Sequence, residues 1–179
     1  MVDNLVDIPA VLPPSAAGIA LLLAFGRVGL LGEHLQILGV QLSFTTAAVV
    51  LVELFVATHF YVRQAAVGFG RVDRGVEGAM MDGASRMGVF SRITVPLAFP
   101  ALLAGAVTAW ARALGEFGGT IIFAENFRGV TQTMPPAIYG ALESDFDAAV
   151  ALAVLVLGFS FAVILAARFF ARKAEERVC

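Results

Sequence analysis

The twenty residues from Ala148 to Ala167 contain no charged side chain and no proline. Such a run matches the roughly 20 helical residues that cross the hydrocarbon core of a bilayer. It also dictates secondary structure. In lipid every backbone N–H and C=O must find its partner within the protein, and a lone segment can do so only as a helix. Three further segments share this character. Ile8–Phe25 is free of charge, but Pro9, Pro13 and Pro14 interrupt its first turns, so its regular helix is expected to begin near Pro14 or Ser15. Residues 42–62 carry one charge, Glu53, with His59 near the end, and residues 93–114 have Pro96 and Pro100 early and Arg112 late. Only 15% of the chain is charged and mean hydropathy is +0.87, whereas a soluble domain is about 25% charged. The sequence therefore predicts an all-α polytopic membrane helical bundle, with four spans forming one transmembrane domain over residues 1–179.

Basic residues report orientation, because Lys and Arg collect on the cytoplasmic side of a membrane protein. The loop 63–92 holds Arg63, Arg71, Arg74, Arg86 and Arg92, and the tail holds Arg168, Arg172, Lys173 and Arg177, which is five plus four, or nine. The opposite side holds two, Arg27 and Arg128. Nine against two assigns the loop 63–92 and the C-terminus to the cytoplasm, and four spans bring the N-terminus to the same side. The segment 115–147 is then external. In it "GEFGG" is expected to loosen any helix, and Pro135 and Pro136 are placed to start a short one.

Several functions are excluded by what the chain lacks. A net charge of -2 argues against a nucleic-acid partner. The one cysteine, Cys179, permits neither an internal disulfide nor a cysteine-rich metal site, and the two histidines, His34 and His59, sit near no nucleophile pattern. The one lysine, Lys173, lies in "ARKAEE" and not in the Gly-Lys-Ser/Thr of a phosphate loop. No catalytic residue, metal site or bound cofactor is expected, so any ATP with its Mg would be held by a separate subunit.

Polar groups within the spans are the remaining candidates. Arg112 and Glu116 are four apart and share a helix face. An Arg at mid-bilayer costs roughly 2.5–3.5 kcal/mol, and pairing reduces this. Two readings stay open: an ion pair that fixes helix packing, or a positive charge that biases a translocation path toward anions. Glu53 is expected to face protein or water, with no partner nameable from sequence, and His59 to be packed or interfacial. Ala101, Gly105 and Ala109 recur every four residues, with Ala104 and Thr108 beside them, which suits close helix approach or the lining of a path between two subunits. Ser43, Thr45, Thr46, Thr108 and Thr120 could supply hydrogen-bond donors along such a path.

The stretch "RGVEGAMMDGASRMGVFSRITVPLAFP", residues 74–100, places Val76, Ala79, Met80, Ala84 and Met87 on one face of a helix over 73–88. Gly83 is positioned as a hinge. Periodicity alone equally suits an interfacial helix lying on the membrane. The order Glu77–Gly78–Ala79, Gly83, Ile93, Val95–Pro96 resembles the EAA signature of permeases in binding-protein-dependent ABC importers, with Gly78 in place of Ala and Val95 in place of Leu. The resemblance implies a type I importer permease fold. It implies a coupling segment, with Glu77, Gly78, Ala79, Gly83 and Ala84, that docks on an ATP-binding subunit. The charge count puts this loop in the cytoplasm independently of the motif. "AWARALGEFGGTIIFAENFRGVTQTMPPAIYGALE" and "DIPAVLPPSAAGIALLLAFGRVGLLG" resemble the molybdate and tungstate branch, which is related to sulfate permeases. That likeness implies a multi-pass subunit of the cell membrane, acting as a homodimer with an extracellular or periplasmic oxyanion-binding protein. Such permeases have a core of five helices, so an N-terminally shortened chain, lacking at least one family helix, is expected. The alternatives are a sulfate or thiosulfate permease, a truncated non-transporting membrane scaffold, and a fragment of a secondary transporter.

Overall fold

The computed structural model describes the backbone of residues 2–72 and 85–175, with the side chains of residues 6–72 and 85–171. The regular elements among them are all helical. They are α1 (Val2–Val11), α2 (Pro14–Phe25), α3 (Gly32–Ile37), α4 (Thr46–Gly70), α5 (Arg86–Leu114), α6 (Gly118–Phe123), α7 (Met134–Ser144) and α8 (Phe146–Glu175). Helices α4, α5 and α8 are long and apolar enough to cross a membrane. Within α8 only 6% of the most apolar window is buried inside the protein. Its exposed Leu155, Leu157, Phe161 and Leu165 would form a sticky patch in water; in a bilayer, lipid is their solvent.

The first expected span departs from the reading. Residues 8–25 are not one helix, because α1 ends at Val11 and α2 begins at Pro14. Neither proline offers an N–H, and Pro13 is extended at φ -55, ψ 140. The interruption is confined to that point: Leu12 N donates to Ile8 O at 3.2 Å and Ala17 N to Pro13 O at 3.0 Å. With 12 residues, α2 reaches about 18 Å, well short of a hydrocarbon core of about 30 Å. Its start at Pro14 agrees with the sequence. So do the end of α5 at Leu114, just ahead of "GEFGG", and the start of α7 beside Pro135 and Pro136.

A second departure concerns the helix expected over 73–88. Residues 73–84 lie outside the described residues, and with them Glu77, Gly78, Ala79, Gly83 and Ala84. At its far end the helix does not run through. Ser85 is extended (φ -68, ψ 146), and its Oγ accepts the Gly88 N–H at 3.1 Å, so Ser85 caps a new helix beginning at Arg86. Helix α5 thus starts ahead of residue 93. It widens into a π-helical turn at Phe90–Thr94, where Val95 N donates to Phe90 O. Pro96 follows at once and leaves the Arg92 carbonyl without its α-helical donor, which is the local reason for a change of pitch here.

The chain divides into two compact units, one comprising residues through His59 with Trp110–Phe159, the other Phe60–Ala109 with residues from Ser160 on. The core of the first is Leu21, Ala48, Val49, Val52, Phe123 and Ala124, from α2, α4 and α6 and the residue after it, with Leu22, Phe25 and Phe55 against it. Phe123 and Val52 are fully buried. In the second unit α4 and α5 meet at glycines. A Cβ on Gly68 would stand 2.6 Å from Ala101 Cβ, and one on Gly105 would stand 2.9 Å from Gln64 Cβ.

Candidate functional site

Just past the end of α5, the chain buries a carboxylate. Glu116 is 1% exposed. Its Oε1 accepts the Gly119 N–H at 2.8 Å, satisfying one of the donors that the first turn of α6 leaves free. Its Oε2 lies 2.8 Å from Arg112 Nη1, close but without hydrogen-bond alignment. The sequence thus paired the two residues correctly, and missed that the carboxylate also caps α6. The space around α6 is glycine-limited. A Cβ on Gly119 would stand 2.8 Å from Val52 Cγ1 and 3.2 Å from Pro14 O; one on Gly18 would stand 2.8 Å from Gly119 O. Helices α2, α4 and α6 approach this closely because Gly18 and Gly119 present no side chain.

The expected hydroxyl donors divide into two groups. Thr45 Oγ1 donates to Leu42 O at 2.5 Å, Thr46 Oγ1 to Val130 O at 3.0 Å and Thr108 Oγ1 to Ala104 O at 2.8 Å. These are engaged by backbone. Ser43 and Thr120 are buried, and their hydroxyls make no hydrogen bond. His59 is packed: its Nδ1 lies 3.1 Å from Asp7 Oδ1 and 3.2 Å from Val6 O.

Glu53 has a setting the sequence could not name. It lines a half-open cleft of about 760 Å³, together with Leu114, Arg128, Gln132, Thr133, Ser144 and Asp145 and the small residues Ala137, Gly140 and Ala141 of α7. Arg112 and Glu116 are not among the lining residues. The loop 124–133 forms one wall and is tightly tied. Phe127 O accepts the N–H groups of Val130, Thr131 and Gln132 at 3.0–3.1 Å, and Phe127 N donates to Thr131 Oγ1 at 3.0 Å. Asn126 Nδ2 reaches Pro136 O at 3.3 Å. Left-handed backbone at Glu125 (φ 64) and Gly129 (φ 75) turns the chain. At the end of the loop, Thr133 takes the N-cap position of α7 yet makes no capping bond. The usual partners of a capping hydroxyl are the N–H groups of the second and third helical residues, which here are Pro135 and Pro136. Its Oγ1 is buried without a partner. Arg128 and Thr133 were not singled out from the sequence, although a threonine two residues before Pro-Pro is a readable sign of an unused cap.

In the second unit Gly105 is buried where α4 and α5 cross, while Thr108 is exposed and bonded back to its own helix. Met87, the described member of the apolar face expected over 73–88, is 74% exposed. Phe69 and Phe90 stack nearby at 6.2 Å. Among the described residues, no group of three or more His, Cys, Asp or Glu is placed to hold a metal ion.

Comparison with known proteins adds to this geometry. Over 163 residues, 90% of the chain, it is 44% identical to the "Molybdenum transport system permease protein ModB" of Mycobacterium tuberculosis, of which it covers 61%. It is 46% identical over 139 residues to the "Putative molybdenum transport system permease protein YvgM" of Bacillus subtilis, covering 76% of this chain and 61% of that one. To the Escherichia coli K12 "Molybdenum transport system permease protein ModB" it is 35% identical over 181 residues, covering 99% of this chain and 79% of that one. The chain thus spans about three fifths of the length of the first two relatives. Residues 1–176 match the family of binding-protein-dependent transport system inner membrane components, and with its membrane-crossing helices the chain belongs to that family.

Proposed function

We propose that this chain is the membrane permease subunit of an ATP-driven ABC importer that carries molybdate or tungstate into the cytoplasm. The observation that carries the reading is the 44% identity to a molybdenum permease across 90% of the chain. The need for a motor follows from charge. A doubly negative anion entering a cell held at about 100 mV, inside negative, climbs about 4.6 kcal/mol, since each charge contributes about 2.3. This chain has no phosphate loop, so the energy comes through a separate ATP-binding subunit.

In this reading the first crossing is α1 and α2 together, broken at Pro13, and α4, α5 and α8 complete four. Both termini and the loop 63–92 are cytoplasmic, as the nine basic residues there favour. The loop docks on the ATP-binding subunit through Glu77, Gly78, Ala79, Gly83 and Ala84, and exposed Met87 extends that apolar face. The glycine crossing of α4 and α5 supports a stiff hairpin that carries the loop at its tip, so a pull on the loop is passed into the spans. Two such chains, in a type I permease arrangement, alternate access between an extracellular oxyanion-binding protein and the cytoplasm. Glu116, held by Gly119 and Arg112, acts in packing and not as a charge along the path.

The test is ATP-dependent molybdate uptake by the permease assembled with its ATP-binding subunit, with tungstate and sulfate as competitors. Competition by tungstate and not by sulfate supports the assignment, while preferred uptake of sulfate overturns it. Replacing Gly83 by Trp is expected to abolish uptake while ATP hydrolysis continues. Unchanged uptake in that variant contradicts the docking role.

A further inference from the structure

We propose that the cleft lined by α4, α7, α8 and the loop 124–133 is a transit subsite for a tetrahedral oxyanion, with Arg128, Gln132 and Thr133 as its receiving groups. The proposal rests on the importer reading and assigns to it a place where the ion pauses. A tetrahedral dianion needs a positive charge, several hydrogen-bond donors and room for the water it has not yet shed. Arg128 is the one cation among the lining residues, and its planar guanidinium offers paired N–H donors to two oxygens at once. Gln132 adds an amide donor from the same loop. The cleft of about 760 Å³ exceeds by many times the roughly 30 Å³ that each water occupies, so an ion can enter with much of its hydration intact.

Thr133 is the observation that points to a ligand. A hydroxyl at a helix N-cap ordinarily accepts a backbone N–H. Pro135 and Pro136 remove both candidates, and Thr133, a residue of the cleft wall, is left with its Oγ1 buried and unpartnered. An unmade hydrogen bond in a buried position is costly, and a turn of the side chain toward an arriving oxyanion would supply its acceptor. The loop is built to hold Arg128 and Gln132 still: Phe127 O takes three N–H groups, and Thr46 Oγ1 on α4 donates to Val130 O.

The lining also contains two carboxylates, which set an upper limit on affinity. Asp145 is partly occupied, since its Oδ1 accepts the Ala148 N–H at 3.0 Å as the cap of α8. Glu53 brings a second negative charge from within a membrane-crossing helix. A conducting site must bind firmly enough to be entered and weakly enough to be left. In this cleft Arg128 and the donors admit the ion and Glu53 helps to expel it.

The experiment uses the assembled transporter in membrane vesicles, with Cys179→Ser removing the chain's only cysteine and Ala141→Cys placing a reporter on the cleft wall. The rate at which a membrane-impermeant thiol reagent modifies the reporter is measured with molybdate, tungstate or, at matched ionic strength, chloride. Both oxyanions are expected to slow modification several-fold and chloride not at all. Arg128→Gln is expected to abolish protection, Arg128→Lys to retain part of it, and Thr133→Val to weaken it. Glu53→Gln is expected to bring protection to lower oxyanion concentrations, because it removes a like charge that repels the anion. Absence of protection, or equal protection in Arg128→Gln and the parent, overturns the subsite. ATP-driven uptake is measured in the same vesicles. Uptake without protection removes the subsite and leaves the importer standing; protection without uptake keeps an oxyanion site in the cleft but overturns its role in transit together with the importer reading.

Discussion

Two identical substitutions, glycine to alanine at positions 18 and 158, are expected to act in opposite directions. At Gly18, inside α2, the added Cβ would lie 2.8 Å from Gly119 O, 2.9 Å from Gly119 Cα and 3.1 Å from Ile122 Cβ. Two of these neighbours are backbone, so relief requires α6 to move bodily away from α2. Overpacking of this kind costs about 1–3 kcal/mol, and rigid neighbours place it near the top of that range. Alanine recovers about 1 kcal/mol of helix propensity, leaving a net loss of about 2 kcal/mol. At Gly158, inside α8, a Cβ would meet nothing within 4 Å, so only the gain of about 1 kcal/mol remains. At about 2–4 °C per kcal/mol for a chain of this size, Gly18→Ala should lower the melting temperature by about 4–8 °C and Gly158→Ala should raise it by about 2–4 °C. Heating the detergent-purified protein and following the loss of its monodisperse size-exclusion peak measures both. A neutral or stabilising Gly18→Ala would refute the claim that glycine is what lets α2 and α6 touch.

Other outcomes follow from the same geometry. Glu116→Gln keeps an acceptor for Gly119 but leaves Arg112 without its counter-charge; breaking a buried pair costs about 3–5 kcal/mol, and because Arg112 is 28% exposed about 2 kcal/mol is expected by thermal unfolding. A loss indistinguishable from zero would count against the packing role. Gly105→Leu drives a side chain into Gln64 and Tyr61 and should cost about 1–3 kcal/mol, whereas Thr108→Val, which gives up one exposed bond to its own helix, should stay within about 0.5 kcal/mol. Pro135→Ala restores an N–H at the second residue of α7, so Thr133 should cap it. The new amide at residue 135 should exchange more slowly than in the double variant Thr133→Val with Pro135→Ala, with a stabilisation of about 1 kcal/mol relative to that double variant.

Much of the fold was legible because lipid leaves a segment so few choices. The run 148–167 could only be helix, and α8 extends it at both ends. Turn chemistry was legible too, since "GEFGG" ends α5 and "MPP" opens α7. What escaped the sequence was geometry between segments. Pro13 and Pro14 announced a break, but not that a separate helix precedes it. The spacing of Arg112 and Glu116 gave the ion pair, while the bond from Gly119 to Glu116 depends on a turn between α5 and α6 that no periodicity encodes. Gly68 was invisible because its partner, Ala101, lies on another helix. Ser85 falls inside the helix expected over 73–88, whereas its hydroxyl caps the next helix. The cleft joins Glu53 to residues about 61 to 99 positions away in the chain, and only the folded chain reveals that they share a wall.

A cytoplasmic motor can reach the approach to α5 only if that end faces the cytoplasm, and Met87 offers a direct measurement. With Cys179→Ser and Met87→Cys, a membrane-impermeant maleimide should leave intact cells unlabelled and label inverted vesicles strongly, because exposed residue 87 then lies on the side of the ATP-binding subunit. Strong labelling in intact cells would put that end of α5 outside and contradict the coupling of this permease to a cytoplasmic motor.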